Sequence, residues 1–238
     1  MTSTIFGQLA IFSTSQNLQN VQCLIRCMLI CPNQSAYRKG HGTETALPKI
    51  QNEILMSVSS QHVVLLVLLD LSAVFDTVDH SVLLSRLKSS FGIRGTALRW
   101  FSSYLSGRIQ RISLDGYCSD TFDLQEGVPQ GSCLGPVLFK LYACKLFEVV
   151  GRRLPSVHTY ADDTQLYLSF KPESASSAQD AVAAMEHCIR DIRAWMLWDK
   201  LKISDGKSEF MVIGTRQQLS KVHISSIKMM PAYLQFPL

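Results

Sequence analysis

Three aspartates stand at positions where carboxylates could hold metal ions. Asp70 directly follows the apolar run Val63–Leu69, and Asp162 and Asp163 are adjacent within a segment that alternates apolar and polar residues on either side. A charge at the end of a buried strand must be solvated, paired or bound to a metal. Carboxylate oxygens suit Mg²⁺, and two such ions about 3.5–4 Å apart suit in-line displacement at phosphorus. If the two segments are neighbouring strands, the three carboxylates could converge for that chemistry.

A simpler interpretation remains open on these residues alone. An Asp-Asp pair in a turn is common and is usually just solvated. Adjacent residues on a strand point to opposite faces, so at most one of Asp162 and Asp163 would face the same way as Asp70. A tight turn that brings both round would remove this conflict. The metal interpretation therefore depends on the strand pairing and on the turn.

The strands that must position these residues can be predicted from periodicity. Val63–Leu69 is a continuous apolar run with β-branched members, which is typical of a strand buried on both faces. The alternation from Thr159 to Phe170 predicts a strand–turn–strand hairpin around the acidic pair. Ile109 to Leu114 is predicted as another strand, and Phe210 to Ile213 as a last short one.

Helices are predicted between these strands by apolar residues at helical spacing. The predicted helices are Thr43–Val58, which contains Pro48, one carried by Val82 to Leu87, Thr96–Leu105, Pro136–Val150 and Ala175–Trp198. A loop punctuated by glycine and proline, Gly127–Gly135, leads into the fourth of them. Mixed strands and helices with at least one hairpin favour the α+β class.

Composition and charge limit the class of protein, but less narrowly than the spacing of the residues does. The chain has 238 residues, 47% of them hydrophobic and 18% charged, with a formal net charge of +4. This is enough for one sizeable globular domain and excludes a wholly disordered chain. The longest aliphatic run is too short for a membrane span, and the first thirty residues lack the features of a secretory signal. We therefore expect an intracellular protein, in the nucleus or cytoplasm, with no membrane partner.

The seven cysteines are scattered along the chain. Cys23, Cys27 and Cys31 recur every four residues, which would line one face of a helix. Zinc sites more often use tighter C-x-x-C pairs with a second pair beyond. We therefore interpret these three as small hydrophobic residues in a reducing setting.

Three local sequences, taken in order, resemble the motifs of one polymerase family. Asp70–His80 resembles the first palm motif of reverse transcriptases from LINE-type (non-LTR) retrotransposons, Gly127–Pro136 resembles the second, and Tyr160–Asp163 resembles the third, the Y-x-D-D box. Further segments are similar to the same family, namely Gln34–Ala46, Gly95–Arg108, Arg193–Trp195 and Lys207–Thr215. The resemblance covers roughly residues 33–216 and is nearest the jockey-like group.

The resemblance implies an α+β fold made of the fingers and palm of a right-hand polymerase. The palm would be an antiparallel sheet packed on helices, and the thumb would be absent or truncated, because only 22 residues follow Arg216. The implied domains are an atypical N-terminal segment, a part of the fingers with the first palm strand, the palm with its motifs, and a C-terminal stub, at residues 1–32, 33–69, 70–216 and 217–238.

The resemblance also implies which residues carry out the reaction. Asp70, Asp162 and Asp163 would be the catalytic metal ligands and would bind two Mg²⁺ ions, with Mn²⁺ as the alternative metal. Lys207 falls where the family carries a lysine proposed to protonate pyrophosphate, a role that a well-placed lysine can fill. The plainer interpretation of Lys207 is a solvated lysine in a turn.

Substrate-binding residues follow from the same resemblance. Arg38 and, less directly, Lys39 would reach the triphosphate from the fingers, since arginine suits bidentate contact with phosphate. Phe75 would be the steric gate against a ribose 2′-hydroxyl, the alternative being a core phenylalanine. Gln130 and Gly131 would lie in the turn that faces the template base or the incoming nucleotide, where glycine permits close backbone approach.

The implied function is an RNA-directed DNA polymerase domain that transfers nucleotides to a primer 3′-hydroxyl. Its partners would be an RNA template, a DNA primer and dNTPs. Departures from the family pattern, such as Gly42, Pro48 and Val74, keep a second hypothesis open: an inactive fragment or decayed copy that at most binds nucleic acid. A third hypothesis, another palm-type nucleotidyl transferase or cyclase, is disfavoured because those enzymes lack the Pro-Gln-Gly loop.

Overall fold

The computed structural model describes residues 33–38, 40–72, 74–132, 134–154, 156–224 and 226–228. The predictions made for Lys39 and for the segment 1–32 with its cysteines lie outside the described residues. By their internal contacts, the described residues form two compact units. The smaller unit lies within residues 74–143, and the larger unit consists of residues 33–72 and 144–228.

Helices and short strands follow one another in mixed order along the described residues. The helices are α1 (Thr43–Ser59), α2 (His80–Ser89), α3 (Gly95–Leu105), α4 (Gly135–Ala143), α5 (Leu146–Gly151), α6 (Ala175–Trp198) and α7 (Arg216–Leu219). The strands are β1 (Val63–Leu69), β2 (Leu71–Ser72), β3 (Ile109–Gln110), β4 (Ser113–Leu114), β5 (Tyr117–Cys118), β6 (Phe122–Asp123), β7 (Ser156–Tyr160), β8 (Asp163–Phe170), β9 (Lys202–Ile203) and β10 (Glu209–Ile213). A 3₁₀ turn, Asp205–Lys207, lies between β9 and β10.

A four-stranded antiparallel sheet organises the larger unit, in the order β10-β1-β8-β7. In β1, Leu66 lies opposite Met211 of β10 on one side and opposite Tyr167 of β8 on the other. Every residue of β1 except Leu68 is buried. A strand between two others, with both faces covered, needs apolar side chains at every position. The prediction of a strand buried on both faces is therefore confirmed.

Helices cover the apolar residues of this sheet. α1 packs against β1 and β7, and its Ile54 and Val58 contact a cluster of Val64, Leu66 and Tyr167. α6 packs against β8 and α5. It buries residues at helical spacing, namely Ala178, Ala181, Met185, Cys188, Ile189, Ile192 and Met196.

Most predicted helices are present, and one is wrong. The prediction for 175–198 is confirmed at both ends, and α1 continues through Pro48, which lacks the N–H that would bond to Glu44. The single helix predicted for 136–150 is wrong, because α4 ends at Ala143 and α5 begins at Leu146. No glycine or proline marks this break. Since α4 belongs to the smaller unit and α5 to the larger one, tertiary packing decides where the helix ends.

Helices α2, α3 and α4 and an exposed hairpin make up the described part of the smaller unit. α2 packs against α3 and α4, among buried residues that include Leu87, Phe101 and Leu138. The segment predicted as one strand from Ile109 to Leu114 instead contributes to two short ladders, β3–β6 and β4–β5. All residues from 109 to 126 are exposed, so no packed layer holds the segment in one continuous strand. Among the described residues, no helix combines the length and apolar character needed to cross a membrane.

Candidate active site

The register of the sheet brings two predicted catalytic residues to the same end of it. β1 and β8 are antiparallel, and Leu69, the last residue of β1, lies opposite Thr164. Continuing that register by one residue sets Asp70 opposite Asp163, the first residue of β8. The two segments do pair, which is the condition on which the metal interpretation depended, and this pairing sets Asp70 opposite Asp163.

A two-residue turn carries the third aspartate. Tyr160 pairs with Asp163 across the hairpin, which leaves Ala161 and Asp162 as the turn between β7 and β8. Ala161 has a φ of 59°, in the left-handed region that tight hairpin turns use. The predicted hairpin is confirmed. The turn also removes the conflict set by strand alternation, because Asp162 lies in the turn and only Asp163 lies on the strand.

The charges of Asp70 and Asp162 affect the ionisation of Asp163. Partial burial raises the pKa of Asp163, and the negative charges of Asp162 and Asp70 raise it further. Like charges held near one another disfavour the ionised form, whereas a nearby cation favours it. These three residues, the acidic cluster, therefore favour a bound positive charge.

Lys207 supplies one positive charge to the acidic cluster. Its Nζ lies 3.3 Å from Asp70 Oδ2, although 75% of the lysine side chain is exposed. The 3₁₀ turn that carries Lys207 is held by an ion pair between Arg193 and Asp205. It is held also by the backbone of Asp70, whose carbonyl accepts a hydrogen bond of 2.8 Å from Ser204 N. The turn thus fixes the lysine beside the first aspartate.

The acidic cluster fits a divalent cation in its chemistry. Its donors are carboxylate oxygens, which Mg²⁺ and Mn²⁺ prefer, and a cation would relieve their mutual repulsion. Within the described residues, no group of three or more His, Cys, Asp or Glu side chains is gathered into a coordination site.

The segment before α1 fastens the turn of the acidic cluster, a role that the sequence analysis missed. Gln34 is only 5% exposed, and its amide bonds both backbone groups of Ala161. The two residues are 127 positions apart, so no local pattern could have indicated the contact. In the same segment, Arg38 Nη1 donates to Gln34 O at 3.3 Å. Burial, and then the charge of Asp162, raises the pKa of Tyr37.

In the smaller unit, the turn after Phe75 is fastened to the loop that begins at Gly127. Val128 N donates to Phe75 O at 2.7 Å, and Gly127 N donates to Val78 O at 2.8 Å. His80 Nε2 lies 2.7 Å from Gly127 O and donates to it, since a carbonyl oxygen only accepts. Gly127 has a φ of 89°, and a Cβ there would lie 3.0 Å from Phe75 O, so the close approach needs glycine.

The residues predicted to bind substrate in the smaller unit lie on these turns. Phe75 is partly buried, and its ring packs on Phe139 with centroids 5.5 Å apart. Gln130 and Gly131 are exposed, and Gly131 has a φ of 78°. A partly exposed ring supported by a neighbour is accessible for contact, as a fully buried core phenylalanine would not be. The gate role of Phe75 stays a prediction.

The predicted site residues are thus distributed over the two units. The larger unit contains Arg38, Asp70, Asp162, Asp163 and Lys207. The smaller unit contains Phe75, Gln130 and Gly131. Two supporting residues, Gln34 and His80, could not be predicted from the sequence, because each bonds a backbone group far away in the chain.

Comparison with known proteins identifies the family. The family described as reverse transcriptase (RNA-dependent DNA polymerase) matches residues 11–230. The chain therefore belongs to the reverse transcriptase family.

The relatives refine this assignment to mobile elements. The chain is 26% identical over 181 residues to a probable RNA-directed DNA polymerase from transposon BS of Drosophila melanogaster. The aligned residues cover 74% of this chain and 19% of that protein. It is 31% identical over 150 residues to the RNA-directed DNA polymerase from mobile element jockey of the same fly, covering 61% of this chain and 16% of that one. The resemblance to the jockey-like group of non-LTR retrotransposons is confirmed. The chain spans less than a fifth of the length of these relatives.

Solved structures support the fold class. Apo telomerase from Candida tropicalis, truncated from the C-terminal domain, aligns with a TM-score of 0.60 at 12% identity, over 85% of this chain and 41% of that one. Telomerase from Candida albicans with a fragment of telomeric RNA gives a TM-score of 0.57 at 11% identity, over 85% of this chain and 35% of that one. The fold is therefore the mixed α and β fold of these polymerases, as the α+β prediction required.

Proposed function

We propose that this chain is the fingers and palm portion of an RNA-directed DNA polymerase, which extends a DNA primer on an RNA template with dNTPs. In this proposal residues 33–69 supply part of the fingers and the first palm strand, and residues 70–216 supply the palm. The observation that carries the proposal is the β1–β8 register, which sets Asp70 opposite Asp163 within a reverse transcriptase match.

The acidic cluster is the proposed centre of the reaction. Asp70, Asp162 and Asp163 would hold the two Mg²⁺ ions, or Mn²⁺ in their place. When bound, such ions activate the attacking 3′-hydroxyl and stabilise charge on the leaving pyrophosphate. Burial and the charges of Asp162 and Asp70 raise the pKa of Asp163, and a bound cation would favour its ionised form.

Other residues of the chain have supporting roles in the proposal. Lys207 would protonate the leaving pyrophosphate, and its exposed ammonium beside Asp70 supports that assignment. Arg38 would contact the triphosphate through its guanidinium. Phe75 would exclude a ribose 2′-hydroxyl with a ring that Phe139 supports from one side. Gln130 would contact the template base or the incoming nucleotide from an exposed turn.

Extension of a DNA primer on a defined RNA template tests the proposal. The purified chain is compared, in Mg²⁺ and dNTPs, with a variant carrying Asp162→Asn and Asp163→Asn. We expect extension by the natural chain and none by the variant. Thermal melting of both proteins verifies that each is folded. A natural chain that folds but never extends a primer would be an inactive remnant and would overturn the proposal.

A further inference from the structure

The amide of Gln34 is matched to the backbone of the turn that carries Asp162. Gln34 Oε1 accepts from Ala161 N at 3.0 Å, and Gln34 Nε2 donates to Ala161 O at 3.0 Å. The same Oε1 accepts from Ala36 N at 2.9 Å. With the residue 5% exposed, water has little access to compete for these bonds. One buried side chain thus satisfies both backbone groups of one turn residue.

The turn needs such support because of its conformation. Ala161 has a φ of 59°, which is unfavourable for a residue with a Cβ. Strain of this kind persists only where the surrounding structure holds it in place, and it clusters at functional sites. Gln34 is the group that contacts Ala161 on both of its backbone atoms.

From this geometry we infer that Gln34 is a positioning residue for Asp162. The inference rests on the proposed function, in which the carboxylate of Asp162 holds a metal ion. Gln34 holds Ala161 in the left-handed conformation. The backbone angles of Ala161 set the direction in which the chain continues to Asp162. Loss of the amide lets the turn relax and moves the Asp162 carboxylate away from its partners in the acidic cluster.

The backbone of Gln34 is held independently of its amide. Thr159 N donates to Asn33 O at 2.7 Å, and Ser35 N donates to Thr159 O at 2.9 Å, so residues 33–35 run beside β7 as a short bridge. Ser35 Oγ also bonds His158 Nε2 at 2.8 Å. A substitution at Gln34 therefore removes the contacts to the turn and the bond from Ala36 N, while the backbone bonds with Thr159 and the bond between Ser35 and His158 still hold the segment.

The same residue connects the turn with the fingers segment. Arg38 Nη1 donates to the carbonyl of Gln34 at 3.3 Å. The proposed triphosphate contact and the proposed metal ligand Asp162 are thus linked through the two ends of Gln34, its carbonyl and its amide. We therefore expect that a displacement of Arg38 shifts Asp162, and that a displacement of Asp162 shifts Arg38.

The experiment compares Gln34→Ala with a matched control, Gln218→Ala. Gln218 is also buried and also bonds the backbone, accepting from Thr215 N at 2.7 Å and donating to Val58 O at 3.4 Å, but it touches no residue of the acidic cluster. Two quantities are measured: amide hydrogen exchange at Ala161, and kcat and KM for dNTP in RNA-templated extension.

In Gln34→Ala, we expect exchange at Ala161 to rise on the order of tenfold, as the loss of a buried hydrogen bond implies. We expect kcat to fall about 10- to 100-fold, as misplacement of a catalytic group implies, with KM for dNTP within about twofold. Gln218→Ala should leave exchange at Ala161 and kcat unchanged. Unchanged exchange and kcat in Gln34→Ala, or an equal loss of kcat in Gln218→Ala, would overturn the inference.

A second variant covers the case in which Gln34→Ala does not fold. Gln34→Glu keeps the size of the side chain and the acceptor for Ala161 N, but sets a carboxylate oxygen against Ala161 O. We expect a smaller rise in exchange at Ala161 and a fall in kcat, and a variant with neither would contradict the inference. If the natural chain never extends a primer, the proposed function fails, yet exchange at Ala161 still decides whether Gln34 holds the turn.

Discussion

Lys207 Nζ lies 3.3 Å from Asp70 Oδ2, directly after β1, a strand in which every residue except Leu68 is buried. The lysine is mostly exposed and the aspartate is partly shielded, so the pair contributes little to stability. In the proposed function, the pair places a proton donor beside the acidic cluster. We therefore expect the ion pair to affect the rate of the reaction and not the free energy of unfolding.

Replacing Lys207 by glutamine should separate these two effects. We expect the free energy of unfolding to change by less than about 1 kcal/mol, because exposed ion pairs contribute little. The rate of nucleotide incorporation should fall about 10²–10⁴-fold, as for the loss of a general acid. Lys202→Gln, an exposed lysine of β9, is the control and should keep the full rate. Equal rates for the two variants would show that Lys207 takes no part in the reaction.

Replacing Asp163 by asparagine should stabilise the chain when no divalent cation is present. The pKa of Asp163 is raised by partial burial and by Asp162 and Asp70, so its stability contribution is lost as pH rises through that pKa. At neutral pH the ionised group repels its neighbours, and asparagine removes that repulsion. Differential scanning fluorimetry in EDTA should therefore give a higher Tm for Asp163→Asn than for the natural chain.

Addition of Mg²⁺ should reverse this order of stability. An ion that binds only the folded state stabilises it by RT ln(1 + [L]/Kd), about 2.7 kcal/mol at 100 times Kd. The natural chain should gain Tm on titration with Mg²⁺, whereas Asp163→Asn should gain little. A natural chain whose Tm ignores both Mg²⁺ and Mn²⁺ would mean that the acidic cluster binds neither ion.

Replacing Phe75 by valine should weaken discrimination against ribonucleotides. The ring is partly exposed and is supported by Phe139, so a smaller side chain opens space where a 2′-hydroxyl would lie. The ratio of kcat/KM for dNTP over rNTP should fall by about tenfold or more, whereas kcat/KM for dNTP should fall less. Phe122→Val, an exposed phenylalanine of the hairpin, should leave the ratio as it is.

His158 should make the free energy of unfolding fall as pH falls below about 6.5, the ordinary pKa of histidine. Its ring is buried between Ser35 Oγ at 2.8 Å and Gln165 Oε1 at 3.1 Å. Burial lowers the pKa of His158 below its ordinary value of about 6.5. The hydrogen bond to Gln165 and the charge of Glu53 oppose this effect, while Lys49 adds to it.

The sign of the effect follows from which state binds more protons. Between the lowered pKa and about 6.5, the unfolded chain holds a proton on His158 that the folded chain does not, so stability rises with pH there. The contribution is full above the unfolded pKa and is lost as pH falls through that window. Urea unfolding at pH 7.5 and 5.5 should show a steeper loss in the natural chain than in His158→Gln. Equal losses in the two proteins would show that His158 does not cause the pH dependence.

Features that depend on local patterns could be predicted from the sequence. The seven apolar residues of β1 and the helical spacing of α6 each reflect burial against neighbours, and both elements have the predicted bounds. The hairpin around Asp162 follows from alternation that the acidic pair interrupts. The three aspartates could be identified as candidate metal ligands because a charge beside a buried strand must be solvated, paired or bound to a metal.

Features that depend on contacts between distant residues could not be predicted. The β2–β9 ladder pairs Leu71 with Ile203, two short segments with too few residues to show a period. Gln34 reaches Ala161 across 127 positions, and no residue near either one signals the other. The break between α4 and α5 likewise has no glycine or proline to mark it. Tertiary packing decides all three.

Single-nucleotide incorporation opposite an RNA template should distinguish Asp70→Asn from Asp76→Asn. Both aspartates belong to the same motif, but Asp70 faces Asp163 through the β1–β8 register whereas Asp76 is exposed in the smaller unit. We expect incorporation by the natural chain and by Asp76→Asn, with none detectable in Asp70→Asn. Incorporation by Asp70→Asn at the natural rate would mean that Asp70 is not a catalytic metal ligand.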